Sequence, residues 1–291
     1  MNRVLALARQ AARARSGAAS RAEHDYHTVY RALKARLQEL FGPALPSVRV
    51  LDFGCGFTYP LLILLQKDVK EIVGVDVGPS FRDGLPSAIA AGGGLRKPGG
   101  AAAAVLEYAQ AKHYYRHLQQ QAAIPVRHAD YRIVRYDGSR LPFDEGAFDC
   151  VISNAVLQEL PLPLEPFAGE MARVLKPGGA IDLEWHNFYS WSGHYKGEQE
   201  SRRMPWGHLR GGPYHPCLNR ATPTAITGAY SPAFAHLRVL GHDHQYRLRD
   251  RDPRYVPEGK DSLTPEIAAQ LAEYPREWLL TRGYILQGYR R

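Results

Sequence analysis

Residues 48–77 read VRVLDFGCGFTYPLLILLQKDVKEIVGVDV. Val48, Val50 and Leu51 predict a short apolar strand that ends at Asp52. Gly54-Cys55-Gly56 is a turn. Its two glycines let the backbone bend tightly and approach a ligand with no Cβ in the way. Pro60 suits the first turn of a helix, and Leu61, Leu62, Ile63, Leu64 and Leu65 supply its buried face. Ile72 to Val75 predicts a second strand with Asp76 at its C-terminal end. An acidic residue about 20 positions beyond a glycine turn is placed to accept hydrogen bonds from a ribose diol.

Two cofactor classes use this arrangement. A dinucleotide site wants G-x-G-x-x-G, but the third glycine position holds Tyr59, whose bulk would hinder strand–helix packing and pyrophosphate approach. Asp52, two residues before Gly54, would repel phosphate and attract an ammonium or sulfonium group. Here the chain resembles the class I S-adenosylmethionine-dependent methyltransferases. Asp52-Phe53-Gly54-Cys55-Gly56 matches their first motif (acidic, any, Gly, any, Gly), and Asp76 matches the acidic end of their second strand. The resemblance implies S-adenosyl-L-methionine as cofactor and S-adenosyl-L-homocysteine as product. The residues expected to hold it are Asp52, Gly54, Cys55, Gly56, Asp76, Val77, Asp137, Gly138 and Asn154, with Asp76 on the ribose and Asp137 on the adenine amine. An ordinary βαβ turn without a ligand is the alternative; the later motifs weigh against it.

Working outward, Tyr131 to Tyr136 predicts a third strand ending at Asp137-Gly138. Phe148 to Ser153 predicts a fourth, and Asn154 to Leu160 the opening of a helix. C-terminal ends of parallel strands face the ligand crevice, so Asn154, Gln158 and Glu159 are expected near the transfer site. Leu164 to Leu175 reads as a helix ended by Pro177-Gly178-Gly179, and Ala180 to Trp185 as strand five. Arg173 to Gly179 resembles the segment before strand five in these methyltransferases. His236 to Leu248 reads as an edge strand, Leu263 to Leu271 as a helix, and Leu279 to Tyr289 as a last strand that the resemblance makes antiparallel. The expected fold is α/β: a doubly wound, mostly parallel seven-stranded Rossmann-like sheet with N-terminal helices and a lid insertion after strand five. The expected division is a helical segment at 1–44 and a cofactor-binding domain at 45–291. Insertions are expected at about 79–121 and a substrate lid at about 186–225.

Residues 1–22 hold five arginines and no acid, a composition shared by transit peptides and amphipathic helices. A docked or projecting helix, covering the cofactor site or contacting another subunit of a homodimer, is the preferred reading. Tyr26, Val29, Tyr30, Leu33, Leu37 and Leu40 recur at helical spacing before the stop at Gly42-Pro43. Residues 88–104 are rich in glycine and alanine and read as a surface insert or lid. With 291 residues, 45% of them apolar, the chain can bury a sizeable core. No apolar run approaches the ~20 residues that span a bilayer. Three scattered cysteines make no disulfide framework and no metal knuckle, so a reducing cytoplasm is the expected compartment. The formal charge of +8 is compatible with a solvated basic surface, nucleic acid or an anionic substrate.

Substrate identity is expected in residues 186–223, which are dense in His, Trp, Tyr and Arg and lack helical period. Histidines at 186, 194, 208 and 215 stand 8, 14 and 7 residues apart, which fits no compact metal-ligand pattern. Methyl transfer to a hydroxyl needs that oxygen deprotonated during attack, and a histidine can take the proton. His194 and His208 are the candidate bases, with Gln158, Glu159, His186, Tyr189 and Trp206 as candidate substrate contacts. The stretch also resembles a narrower group of methyltransferases from polysaccharide and natural-product pathways. The carrying residues are Asn187 to His194, Pro205 to Arg210, Leu263 to Ile267 and Leu279 to Gly283, with Tyr195 replacing an expected second histidine. The expected reaction is methyl transfer to a hydroxyl of a small molecule. A nucleic-acid methyltransferase is disfavoured because Asn154 is followed by Ala155-Val156-Leu157 and not by a Pro-Pro-aromatic clamp. A non-catalytic scaffold of the same fold is the other alternative.

Overall fold

The computed structural model describes residues 17–91 and 100–291. The chain divides into two compact units, one ending at Pro142 and the other running Phe143–Arg291.

In the first unit β1 (Arg49–Phe53), β2 (Glu71–Asp76) and β3 (Arg132–Arg135) lie parallel in the order β3-β2-β1. The interiors of β1 and β2 are buried almost throughout, as expected of parallel strands covered on both faces. The Gly54 and Cys55 amides both donate to Val75 O, at 2.8 and 3.2 Å, which ties the turn to β2. Gly74 makes this possible. A Cβ there would stand 2.8 Å from Cys55 Sγ and 2.9 Å from Leu62 Cδ2. Helix Pro60–Leu65 buries all of Leu61 to Leu65.

Tyr59 has φ 34° and is fully buried. Its ring packs with Tyr115 and Tyr131, and its hydroxyl is hydrogen-bonded to His128 Nδ1 at 2.6 Å. The bulk that the sequence sets against the turn is therefore turned into an aromatic core. Residues 17–41 are helical, with a π-helical stretch at Asp25–Tyr30. Tyr30 and Lys34 anchor this helix by donating to the Asp68 carboxylate, each at 2.6 Å. Of the glycine- and alanine-rich stretch, residues up to 91 end helix Gly84–Ala91 and residues from 100 begin helix Gly100–Ala122. Residues 92–99, like the arginine-rich 1–16, lie outside the described residues.

The second unit holds β4 (Phe148–Asn154), β5 (Leu175–His186), β6 (Phe234–His242) and β7 (Gly283–Arg290) in the order β4-β5-β7-β6. β4 and β5 are parallel, and β7 runs antiparallel to both β5 and β6. β4, β5 and β6 therefore point the same way, and Asn154, His186 and His242 end them at one edge. Gly283 is in register with both His186 and His242. A Cβ on Gly283 would stand 2.5 Å from His242 Nε2.

Four sequence expectations are corrected. Asn154 to Leu160 is no helix; only Leu157–Glu159 makes a 3₁₀ turn, because Pro161, Pro163 and Pro166 supply no backbone donors to extend it. β5 begins at Leu175 and runs through Pro177-Gly178-Gly179, with Gly178 at φ 73°. The edge strand stops at His242, where the Asp243 carboxylate captures the amides of Gln245 and Arg247. The last strand starts at Gly283, since Arg276–Leu280 is helical. Among the described residues no helix is long and apolar enough to cross a membrane.

Candidate active site

The first unit builds a cradle around the glycine turn. Asp76 Oδ2 accepts from the Gly56 amide and Oδ1 from the Gly78 amide, both at 2.8 Å. Asp76 thus shapes the turn while its remaining lone pairs stay available to a diol. Asp52 is only 2% exposed. Burial, and then the charge of Asp76, push its carboxyl up to about 8. At neutral pH it is protonated. The Cys55 thiol is raised far above its ordinary range by burial and by Asp52 and Asp76, so it stays uncharged and unreactive.

At the end of β3, Asp137 Oδ1 accepts from the Ser139 hydroxyl at 2.6 Å and the Ser139 amide at 2.9 Å. These bonds hold its carboxyl below the usual range. Val77 is 55% exposed, and with Tyr136, Asp137 and Arg140 it lines a cavity of about 570 Å³. A Cβ on Gly138 would stand 3.7 Å from Val77 Cγ1, so the two are neighbours. An apolar face beside a carboxylate acceptor suits adenine, Asp76 suits ribose, and Gly56, with nothing within 4 Å of its Cβ position, leaves open space on the turn. The donor set fits S-adenosylmethionine. Eight of the nine expected cofactor residues gather in this unit. The ninth, Asn154, lies in the second unit, where its Oδ1 accepts from Tyr246 at 3.0 Å.

The second unit encloses a cavity of about 1040 Å³. Glu159 and His186 are on its wall. Gln158 stands behind it, donating to the Tyr195 hydroxyl at 2.7 Å. Tyr189 and Trp206 are elsewhere. The Tyr189 ring packs on Tyr274 and Trp278, and its hydroxyl donates to Arg220 O at 3.1 Å. Trp206 is fully buried with Leu271 and Leu279, donating to Leu279 O at 3.2 Å.

The two candidate bases are also corrected. His194 Nδ1 accepts from the Lys196 amide at 2.8 Å, so its proton sits on Nε2 and goes to Ser201 Oγ at 2.7 Å. Both nitrogens are spent. His208 Nε2–H donates to Phe188 O at 2.7 Å, and its Nδ1 is sealed from solvent. The two rings pack edge to face at 5.4 Å.

Burial lowers the pKa of both, and His208 falls from 6.5 to about 4. The folded form therefore binds fewer protons than the unfolded chain between these values. The stability contribution of this histidine pair is full above pH 6.5 and is lost as pH falls toward 4, by roughly 3 kcal/mol for His208. Melting temperature is expected to drop steeply across that window. His208→Gln, which keeps a donor to Phe188 but cannot charge, should flatten the drop; a variant that tracks the wild type would remove this assignment.

His186 has the geometry that the other two lack. Its Nε2 lies 3.1 Å from Ser192 Oγ. The one Ser192 proton goes to Glu258 Oε1 at 2.8 Å, and Arg282 donates to both Ser192 and Glu258. The Ser192 oxygen must then accept from His186, which puts the imidazole proton on Nε2 and leaves Nδ1 as a lone pair. Burial first, and then Arg282, lower its pKa well below 6.5, so it is neutral at pH 7.

Sequence reasoning also missed Glu184, His242 and Tyr246. Glu184 Oε2 accepts from the Ala155 amide at 2.8 Å, and Oε1 lies 3.1 Å from His242 Nε2. His242 Nδ1–H donates to Asp243 O at 2.9 Å, and Tyr246 stacks on its ring at 4.5 Å. The available signal is a carboxylate inside the apolar run Ala180 to Trp185.

Residues 97–182 match a family model described as a methyltransferase domain. The cofactor of that family is S-adenosyl-L-methionine. An uncharacterized methyltransferase of Mycobacterium sp. (strain JLS) is 33% identical over 94 residues, covering 32% of this chain and 34% of that protein. The chain thus matches about a third of the length of this curated relative. Among solved structures, a possible histamine N-methyltransferase from Thermotoga maritima is 13% identical, with 94% of each chain covered and a TM-score of 0.46. Geranyl diphosphate C-methyltransferase from Streptomyces coelicolor A3(2), solved with S-adenosyl-L-homocysteine, is 15% identical. It covers 90% of this chain and 76% of its own, with a TM-score of 0.47. The matched model spans 86 of the 291 residues, from helix Gly100–Ala122 into β5, and is what this part of the chain is similar to.

Proposed function

We propose that the protein is an S-adenosylmethionine-dependent methyltransferase acting on a hydroxyl of a small polar molecule, a sugar or natural product, with His186 as general base. The observation that carries this reading is the His186–Ser192–Glu258 relay on the wall of a 1040 Å³ cavity. When bound, the cofactor supplies an electrophilic methyl group. Asp76 would hold its ribose, Val77, Asp137 and Gly138 its adenine, and the turn Gly54-Cys55-Gly56 with Asp52 its amino-acid end. Residues 186–225 would serve as the substrate lid, pinned by His194 and His208.

The charges on the cavity wall support an uncharged acceptor. It carries Glu159, Glu198, Asp243, Glu258 and Asp261 against Arg202, Arg247, Lys260 and Arg282. Three of those bases already pair with wall acids: Arg202 with Glu198, Arg247 with Asp243, and Arg282 with Glu258. Despite the +8 of the chain, this is no anion trap. A neutral polar acceptor suits it better than a nucleic-acid phosphate.

Calorimetric titration of the full chain with S-adenosylmethionine, S-adenosylhomocysteine and NAD tests the cofactor assignment. Micromolar binding of the first two and none of NAD is expected. Binding of NAD alone would overturn the reading.

A further inference from the structure

We propose that Arg21 binds the α-carboxylate of the cofactor, and so makes the cradle specific for the intact amino-acid end of S-adenosylmethionine. A cavity of about 250 Å³ in the first unit adjoins the glycine turn. Phe57 and Thr58, the two residues that follow Gly56, form one wall. Arg21 stands on a second wall, and Glu107, Gln110 and Tyr114 of helix Gly100–Ala122 on a third. Their spacings of three and four put those last residues on one helical face. The amino-acid end of the cofactor is a zwitterion, and its carboxylate needs a cation. The turn supplies none: Asp52 and Asp76 are acids, and Asp52 is protonated at neutral pH. Among the described residues on the cavity wall, Arg21 is the one cation.

The neighbours aim this guanidinium at the turn. Its Nη2 donates to Thr58 Oγ1 at 3.0 Å, and it lies over the Tyr114 ring, 5.2 Å from the centroid. Thr58 and Tyr114 are only 4% and 2% exposed, so both anchors are fixed. Arg21 Nε stands 3.7 Å from Asp25 Oδ2, which the Tyr114 hydroxyl already holds at 2.7 Å. The Arg21 side chain itself is 58% exposed and open to a ligand. A guanidinium has five N–H donors, so the bond to Thr58 leaves enough for a two-pronged hold on a carboxylate. Glu107 is the opposing charge on the wall. It repels a bare carboxylate and attracts an ammonium, so the cavity offers one charge of each sign to a zwitterion.

The inference rests on the methyltransferase reading, which names the cofactor. Its test is calorimetric titration of the full chain with S-adenosylhomocysteine and with S-adenosyl-3-thiopropylamine, which lacks only the carboxylate. The wild type should bind the first about tenfold more tightly than the second, the range of one charge-assisted contact at a half-exposed site. Arg21→Gln stays polar but loses the charge. It should weaken S-adenosylhomocysteine about tenfold and leave the amine unchanged or slightly tighter, which closes the gap between the two ligands. An unchanged S-adenosylhomocysteine affinity in Arg21→Gln would overturn the assignment and leave the cofactor reading standing. An equal loss for both ligands would also overturn it, because Arg21 would then only hold the helix in place. A wild type that binds neither ligand would remove the cofactor reading, and the role of Arg21 with it.

Discussion

His186→Gln is expected to lower turnover at saturating cofactor by a hundredfold or more, the range that loss of a positioned general base produces. Glutamine can still donate to Ser192, so the relay to Glu258 and Arg282 keeps its partners. What disappears is the Nδ1 lone pair. Cofactor affinity should not change, because no cradle residue of the first unit is touched. The pH profile gives an independent check. The His186 pKa lies well below 6.5, so the wild-type rate should be flat from pH 8 down to 6.5 and fall only at more acid values. His194→Gln and His208→Gln should act on lid stability and not on the shape of that profile. If His186→Gln turns over within threefold of wild type while His194→Gln does not, the base has been misassigned.

The contrast between these histidines shows what a sequence exposes. The Asp52–Asp76 stretch was legible because turn, helix and strand are consecutive. Two glycines and a terminal acid fix the cradle within about 30 residues of chain. The roles of His186, His194 and His208 depend on partners that no spacing encodes. Ser192 receives the His186 proton only because Glu258, 66 residues on, takes the proton of Ser192. His208 is disqualified by Phe188 O, 20 residues back. Trp206 looked like a substrate wall, but an indole in an aperiodic aromatic segment packs as well into a satellite core, and here it does. The Glu184–His242 pair joins strands 58 residues apart. Tyr59 is the converse case: its presence was informative, but its direction depended on Tyr115, His128 and Tyr131 lying together.

Asp76→Ala is expected to weaken S-adenosylmethionine binding by at least a hundredfold while the sheet still forms. Two effects add. The ribose contact proposed for Asp76 goes, and so do the bonds to the Gly56 and Gly78 amides that set the turn. Hydrogen bonds to a charged group contribute about 1.5–3 kcal/mol each, and about 2.8 kcal/mol is already a hundredfold in affinity. A third effect opposes them. Asp76 helps keep Asp52 protonated, so its removal lets the Asp52 carboxyl fall back toward its ordinary range and offer a charge to the sulfonium. Burial is the larger cause of the Asp52 shift, so this compensation is the smaller term. The fold should survive, because the Gly54 and Cys55 amides keep Val75 O and the β1–β2 ladder is untouched. Asp76→Asn separates the contributions. It retains one carbonyl oxygen for an amide but loses the charge, and should lie between alanine and wild type in calorimetric affinity. An alanine variant that binds as tightly as wild type would show that the acid ending β2 shapes the turn without touching the ribose.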